Sequence, residues 1–178
     1  RSTVDGLIHT HLNEDQVAAA CTYFLSEGIE AVAVCFLHAY ANSQHEQRAA
    51  KIVQKLMPSA YVCTSNEILP EYREFERFST TALNAFVAPR TGRYLTELAT
   101  NLASSGLNTP VRVMASNGGT WPAARMAERP VNALLSGPAG GVIAATVLSE
   151  ALNIHDIITY DMGGTSTDAC MIRNGTMV

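Results

Sequence analysis

The chain has 178 residues, 47% apolar and 16% charged, with a formal net charge of −4. That length suits one good core or pieces of two domains, and the acidic balance gives no electrostatic case for nucleic acid or an anionic membrane. No apolar run reaches the roughly 18 residues needed to cross a bilayer, and the opening RSTVDGLIHT lacks the build of a secretion signal.

In chain order, residues 13–27 place Val17, Ala20, Cys21, Phe24 and Leu25 on one helical face. Asn13 is the expected N-cap, with Gln16 three residues on and Gly28 as the stop. The apolar run EAVAVCFL, 30–37, suits a buried central strand of a parallel sheet. SQHE at 43–46 has the form of a capping box, pairing Ser43 with Glu46, and a helical face continues to Pro58. AYVCTS is a short strand. The charge cluster EYREFERF, 71–78, reads as a solvated segment of Glu–Arg pairs. A helix follows, expected to break near Pro89 and to resume as far as Gly106. VRVMAS, 111–116, is a strand entering the turn NGGT. SGPAGG, 136–141, opens a helix running to about Asn153, and DIITYD is a last buried strand. Alternating strands and helices argue for an α/β protein with mainly parallel or mixed sheets flanked by helices.

The ends carry an expectation of their own. The chain opens on Arg1 and finishes at RNGTMV, where Asn174–Gly175 has the form of a type I′ hairpin turn. It is expected to be an internal piece of a longer polypeptide. Cys21, Cys35, Cys63 and Cys170 include no C-x-x-C pair and read as free thiols of a cytoplasmic protein.

The stretch ITYDMGGTSTDACMI, 158–172, concentrates the chemistry. Gly163 and Gly164 can present consecutive amides, with positive φ, to phosphate oxygens. Thr165, Ser166 and Thr167 add hydroxyls. Asp161 and Asp168 add carboxylates suited to hydrated Mg²⁺. No G-K-[ST] follows, and no G-x-G-x-x-G opens a helix, so the pattern is a phosphate-binding β-hairpin over 157–173.

DMGGTSTD, preceded by LLSGPAGGVIAA, resembles the hydantoinase A/5-oxoprolinase (N-methylhydantoinase) family. The resemblance extends back through MASNGGTW, STTALNAFVAP and AVCFLHAYANSQHE, although D-x-G-G-T alone marks the wider superfamily of actin-like ATPases. It implies a fragment of an actin-like (ribonuclease H-like) fold, in which two domains close on ATP and Mg²⁺. Residues 1–78 would be the later part of the family's N-terminal region. Residues 79–178 would start the main domain, with an interdomain helix at 138–153. A further glycine-rich phosphate loop is expected upstream. The implied chemistry is ATP-dependent opening of a cyclic amide such as 5-oxoproline or a hydantoin. There the lactam oxygen attacks the γ-phosphate and water opens the activated product. Alternatives are the ATP-using subunit of a ketone carboxylase, or an actin-like ATPase that reactivates or regulates a partner. An activase built on an iron–sulfur centre would need clustered cysteines, which the sequence lacks. The family reading also implies a small-molecule cyclic amide as substrate and a partner hydrolase subunit or fused domain.

Three weaker features remain. Asn117, Gly118 and Gly119 read either as a simple turn or as part of the same cleft. Gly137, Gly140 and Gly141 flank Pro138 at a helix start whose free amides suit an anion, or else permit close packing. His38, His45 and Glu46 suggest a metal set, but Glu46 is expected to be occupied by its cap and His38 to be a hydrogen-bonded structural histidine. His9 and His11 would alternate on a strand, with no third ligand evident.

Overall fold

The structure is a computed structural model and describes residues 1–177. Its contacts divide the chain into two compact units: residues 1–97 with 127–131, and 98–126 with 132 onward. The fold is α/β, as the sequence indicates.

In the first unit, α1 (Glu14–Ser26) starts as expected, with the Asn13 side chain accepting from the Gln16 amide. It stops at Gly28, whose φ of +67° is left-handed, while the Ile29 amide reaches back to the Phe24 carbonyl. β1 (Ala31–Val34) and β2 (Tyr61–Thr64) pair in parallel, Ala31 opposite Tyr61 and Val34 opposite Thr64. α2 (Gln44–Leu56) is the crossover between them. Cys21, Val53, Met57 and Ala60 form the buried centre, with Val17, Phe24, Val32 and Val62 packed against it. The expected central strand is corrected in one respect. Among the described residues β1 has a single partner strand, and only Val34 of its four residues is fully buried.

The SQHE reading is also corrected. Ser43 makes no capping bond with its side chain. Glu46 is instead fully buried and turned inward. Its Oε1 accepts from the Phe36 amide (2.8 Å) and the Ser65 hydroxyl (2.5 Å), and its Oε2 accepts from the Asn66 amide (2.9 Å). The Ser65 oxygen in turn accepts from Arg77 Nε (3.1 Å). Arg77 also donates to the carbonyls of Glu71 and Phe36, and its guanidinium lies over the rings of Tyr40 and Phe78. Arg77 is completely buried, so the charge cluster at 71–78 is not simply solvated; only Arg73 and Glu76 form the expected exposed pair. A capping box reports local spacing, whereas Glu46 takes its partners from segments 10 to 20 residues away. Such long-range satisfaction leaves no periodic signal.

α3 (Ser65–Ile68) is a single turn, capped by the Thr64 hydroxyl. α4 (Glu74–Ser104) continues through Pro89 without the expected break. Proline removes one helical hydrogen bond; the 31-residue helix stays continuous across it, anchored by buried Ala85 and Ala88. From α4, the buried Asn84 donates to the Tyr61 hydroxyl (2.7 Å) and accepts from the Val131 amide (3.1 Å). Tyr61 donates to the Glu128 carbonyl (2.6 Å).

In the second unit, β3 (Arg112–Met114) and β4 (Thr120–Pro122) form an antiparallel hairpin. α5 (Ala123–Glu128) and a 3₁₀ turn (Pro130–Ala133) lead to α6 (Ser136–Leu152). β5 (Ile157–Met162), β6 (Thr167–Arg173) and β7 (Thr176–Met177) make an antiparallel sheet that contacts α6. Only the β1–β2 ladder is parallel, so the sheets are mixed. Asn174 and Gly175, at φ of 50° and 71°, form the turn between β6 and β7. β5 is not the buried strand expected from its apolar residues. Ile157 and Thr159 are half-buried, while Ile158, Tyr160 and Met162 are exposed on the opposite face. No stretch around His9 and His11 forms a strand; Ser2 and Ile8 make one isolated bridge there. No helix among the described residues is long and apolar enough to cross a membrane.

Two expected outcomes follow from the first unit. Glu46→Gln can offer only one acceptor oxygen to three donors and leaves Arg77 buried without a counter-charge. Breaking such a buried network costs about 3–5 kcal/mol, read as a lower urea midpoint; an unchanged midpoint would show that the carboxylate is dispensable. The second outcome concerns alkaline pH. Burial pushes the Cys35 and Cys63 thiols up to about 11, with the nearby Glu46 charge adding at Cys35. Burial likewise pushes the Tyr61 hydroxyl up to about 12. The folded state therefore keeps protons that the unfolded chain releases. Stability is full below the ordinary thiol range and is lost as pH rises through about 11 to 12. Urea melts across that interval should show the fall, and Cys35→Ser with Cys63→Ser should flatten its lower part.

Candidate functional site

The β5–β6 hairpin sets Asp161 directly opposite Asp168 across the ladder. Two carboxylates facing each other in this way repel, and neither forms an ion pair among the described residues. Alternation along β5 places Asp161 on the side of Thr159, the side toward α6. There a cavity of about 540 Å³ is walled by Thr159, Asp161, Asp168 and Cys170 from the strands and by Pro138 and Gly141 from α6, among others. The structure thus joins both aspartates to the helix that SGPAGG opens, although these motifs lie some twenty residues apart.

Four residues, 163–166, cross between the strands, closed by the Gly163 amide donating to the Ser166 carbonyl (3.0 Å). The positive φ expected at Gly163 and Gly164 is absent; neither is in the left-handed region. What glycine provides is space. A Cβ on Gly164 would meet nothing within 4 Å, and one on Gly163 only the Ser166 carbonyl oxygen at 3.7 Å. The hydroxyls of Thr165, Ser166 and Thr167 make no hydrogen bond among the described residues. Residues 163–167 do not wall the cavity; they cap the hairpin at its rim.

At the start of α6, Leu135 occupies the N-cap position with φ 62°, and no side chain caps the helix. The first-turn amides of Ser136 and Gly137 therefore lack a capping partner. Open space surrounds the Cβ positions of Gly137 and Gly141, while Gly140 sits in ordinary contact with Met114. Asn117, Gly118 and Gly119 form the β3–β4 turn, with Asn117 Oδ1 accepting from the Gly119 amide. Gly118 has φ +84°, and a Cβ there would fall 2.2 Å from Ile143 Cδ1. That glycine is required by backbone conformation and by the close approach of α6. The turn does not wall the cavity. Next to it, the Ser116 amide and hydroxyl both donate to the Asn132 carbonyl, tying the turn to the segment that leads into α6.

Thr159 and Cys170 are wall residues that the motif reading passed over. A strand alternation count would have reached Thr159, two residues before Asp161. Cys170 is paired with Thr159 across the ladder. Among the described residues no three His, Cys, Asp or Glu side chains gather as a metal set.

The residues nonetheless fit a nucleotide phosphate with a hydrated cation: uncommitted hydroxyls, uncrowded glycines, and two carboxylates lacking a counter-charge. An α/β chain with a carboxylate-flanked Gly-Gly hairpin beside a glycine-opened helix defines a phosphate-binding class. The family profile of hydantoinase/oxoprolinase matches residues 77–178, and that of the hydantoinase/oxoprolinase N-terminal region matches residues 1–57. The chain belongs to this family. It is 39% identical over 171 residues to the caprolactamase alpha subunit of Pseudomonas jessenii, covering 96% of this chain and 25% of that one. The crystal structure of that ATP-dependent caprolactamase superposes with a TM-score of 0.85 at 38% identity, covering 96% of this chain and 25% of that one. The nucleotide-free structure of acetone carboxylase superposes with a TM-score of 0.90 at 30% identity, covering the whole of this chain and 25% of that one. The 5-oxoprolinase of Saccharomyces cerevisiae is 30% identical over 167 residues, 93% of this chain and 13% of that one. The chain thus spans a quarter or less of the length of these relatives.

If the paired carboxylates hold a cation, Mg²⁺ should raise the melting temperature of the parent chain. Asp161→Asn should melt slightly higher than the parent without Mg²⁺, since a repulsion is removed, and should gain little from the ion. Equal Mg²⁺ gains in both proteins would separate the aspartates from cation binding.

Proposed function

We propose that this chain is part of an ATP-dependent enzyme that opens cyclic amides, with the 157–173 hairpin forming one wall of the nucleotide site. The observation that carries the reading is the opposed pair Asp161 and Asp168, facing the uncrowded start of α6 beside an open Gly-Gly turn. Amides of Gly163 and Gly164 and hydroxyls of Thr165, Ser166 and Thr167 would contact phosphate oxygens. Asp161 and Asp168 would hold Mg²⁺ through its waters or orient a water molecule. Gly137, Gly140 and Gly141 would keep the first turn of α6 open to the nucleotide, and Asn117 to Gly119 would support that helix from the β3–β4 turn. ATP with Mg²⁺ supplies a phosphoryl group that makes an amide oxygen a leaving group. The protein's own share is positioning and charge stabilisation.

The relatives that hydrolyse caprolactam and 5-oxoproline, as their names state, support a lactam or hydantoin as substrate, handled by a longer cytoplasmic polypeptide with a partner subunit or fused domain. Within it, residues 1–78 and 79–178 would belong to successive family regions, and 138–153 would be the helix between domains. The similarity to acetone carboxylase at a TM-score of 0.90 favours a second reading, the ATP-using subunit of a ketone carboxylase. ADP release by the longer polypeptide, measured with 5-oxoproline, caprolactam, hydantoin and acetone plus bicarbonate, separates the two.

Gly164→Val tests the phosphate contact. The position is free of steric conflict and outside the left-handed region, so the fold should melt close to the parent. Its methyls would fill the space a phosphate oxygen needs. ATP-dependent turnover should fall by at least about 10²-fold, the scale of losing an electrostatic contact to the reacting group. Parent-like turnover would make this loop an ordinary turn.

A further inference from the structure

The first unit contains a second cavity, of about 560 Å³, large enough for a small molecule. Its polar wall comes from Ser2, Thr10, His11, His38 and His45 together with Asn13 and Gln16 at the start of α1; Leu12, Phe36 and Leu37 give it an apolar side. Two of its imidazoles carry buried nitrogens with no hydrogen-bond partner, Nδ1 of His38 and Nε2 of His45. Buried polar groups are almost always paired, so two orphans on one cavity call for an explanation. The expected role of His38 as a hydrogen-bonded structural histidine is therefore corrected at Nδ1.

Both rings are held in place from behind. His38 sits at φ 59°, a left-handed backbone that a histidine seldom adopts, and its ring meets Tyr40 edge-on at 6.1 Å. Tyr40 is stacked by the buried Arg77 guanidinium. His45 Nδ1 lies 3.5 Å from the Ser2 hydroxyl, which leaves Nε2 toward the cavity. Burial holds the His45 pKa below its usual range, so the ring is neutral near pH 7 and can offer one N–H.

The charge balance narrows the ligand. No Asp or Glu lines the cavity, and Arg1 contributes the only permanently charged side chain. The wall also borders the N-terminal end of α1, the positive end of that helix dipole. Glu14 in the first turn is engaged by Arg48 through two 2.7 Å bonds, which directs its charge away from the wall. A metal ion does not fit, since no three-residue ligand set gathers among the described residues. A neutral molecule would leave the positive end of α1 without a counter-charge. Leu12, Phe36 and Leu37 call for an apolar body behind the polar group.

We propose that this cavity binds a small organic carboxylate, its oxygens accepting from His38 and His45 and its hydrocarbon part resting on Leu12, Phe36 and Leu37. The site is independent of the nucleotide reading, because all of its residues lie in the first 45 of the chain. Charge-assisted hydrogen bonds from two imidazole N–H groups would supply the recognition.

The experiment is a titration of the ¹⁵N-labelled chain, followed at the imidazole nitrogens by NMR. The probes are butanoate, its uncharged isostere butanamide, and inorganic phosphate. Saturable shifts at both His38 and His45 with butanoate are expected, without matching shifts from butanamide or phosphate. His38→Phe and His45→Phe, each with an unchanged backbone spectrum, should weaken butanoate binding at least 10-fold. Absence of a saturable shift would mean a cavity filled by water alone and overturn the proposal. Equal response to butanamide would remove the carboxylate from the recognition, and equal response to phosphate would make the site a general anion pocket; either overturns it.

Discussion

The architecture of the first unit depends on one buried charge. Glu46 arrives on α2 and gathers amides from the end of β1 and from the turn after β2, while the Ser65 hydroxyl passes its charge on to Arg77 of α4. Four separate segments are fixed by these bonds, and none could shift without exposing a desolvated carboxylate or guanidinium. Hydrophobic contacts at Cys21, Val53 and Met57 supply most of the driving force but little direction. The ionic centre supplies geometry. Through Arg77 and Tyr40 it reaches the ring of His38, so the wall of the histidine-lined cavity and the packing of the helices share a support.

The second unit solves a different problem with less burial. A short antiparallel sheet leans one face on α6, and the hairpin end projects two like charges into the space beside the first turn of that helix. Nothing in the packing requires those carboxylates. They destabilise the free hairpin slightly, and the uncapped amides and vacant glycine positions nearby are equally unhelpful to stability. Features that cost a fold energy at one spot are typical of places shaped for a ligand.

What could be read from the sequence was chiefly what is local. The Asn13 cap, the stop at Gly28, the Asn174–Gly175 turn and the helix opened by SGPAGG all involve residues within a few positions of each other, and their chemistry survives without tertiary context. The hairpin around residues 163–166 was legible for the same reason. Glycine there was correctly taken as a sign of room, although its backbone is not left-handed. SQHE misled because it satisfies a local rule while Glu46 answers to donors far along the chain. Arg77 was hidden among exposed charges for the same reason. Burial in β5 was overread because an apolar run marks a strand without saying how many of its faces are covered. The role of Gly118 depends on Ile143, twenty-five residues later, and has no local signature.

The hook made by Asn84, Tyr61 and Val131 has a consequence for dissection of the molecule. Residues 127–131 belong with the first unit although the chain has already entered the second by residue 98, so the polypeptide changes unit at three points. No single cut in the chain can release either unit intact. Ending the chain at residue 97 would strip the Asn84 carboxamide oxygen of its backbone donor and the Tyr61 hydroxyl of its acceptor. A faithful excision of the first unit must carry the 127–131 segment along, joined by a short designed bridge or supplied as a separate peptide.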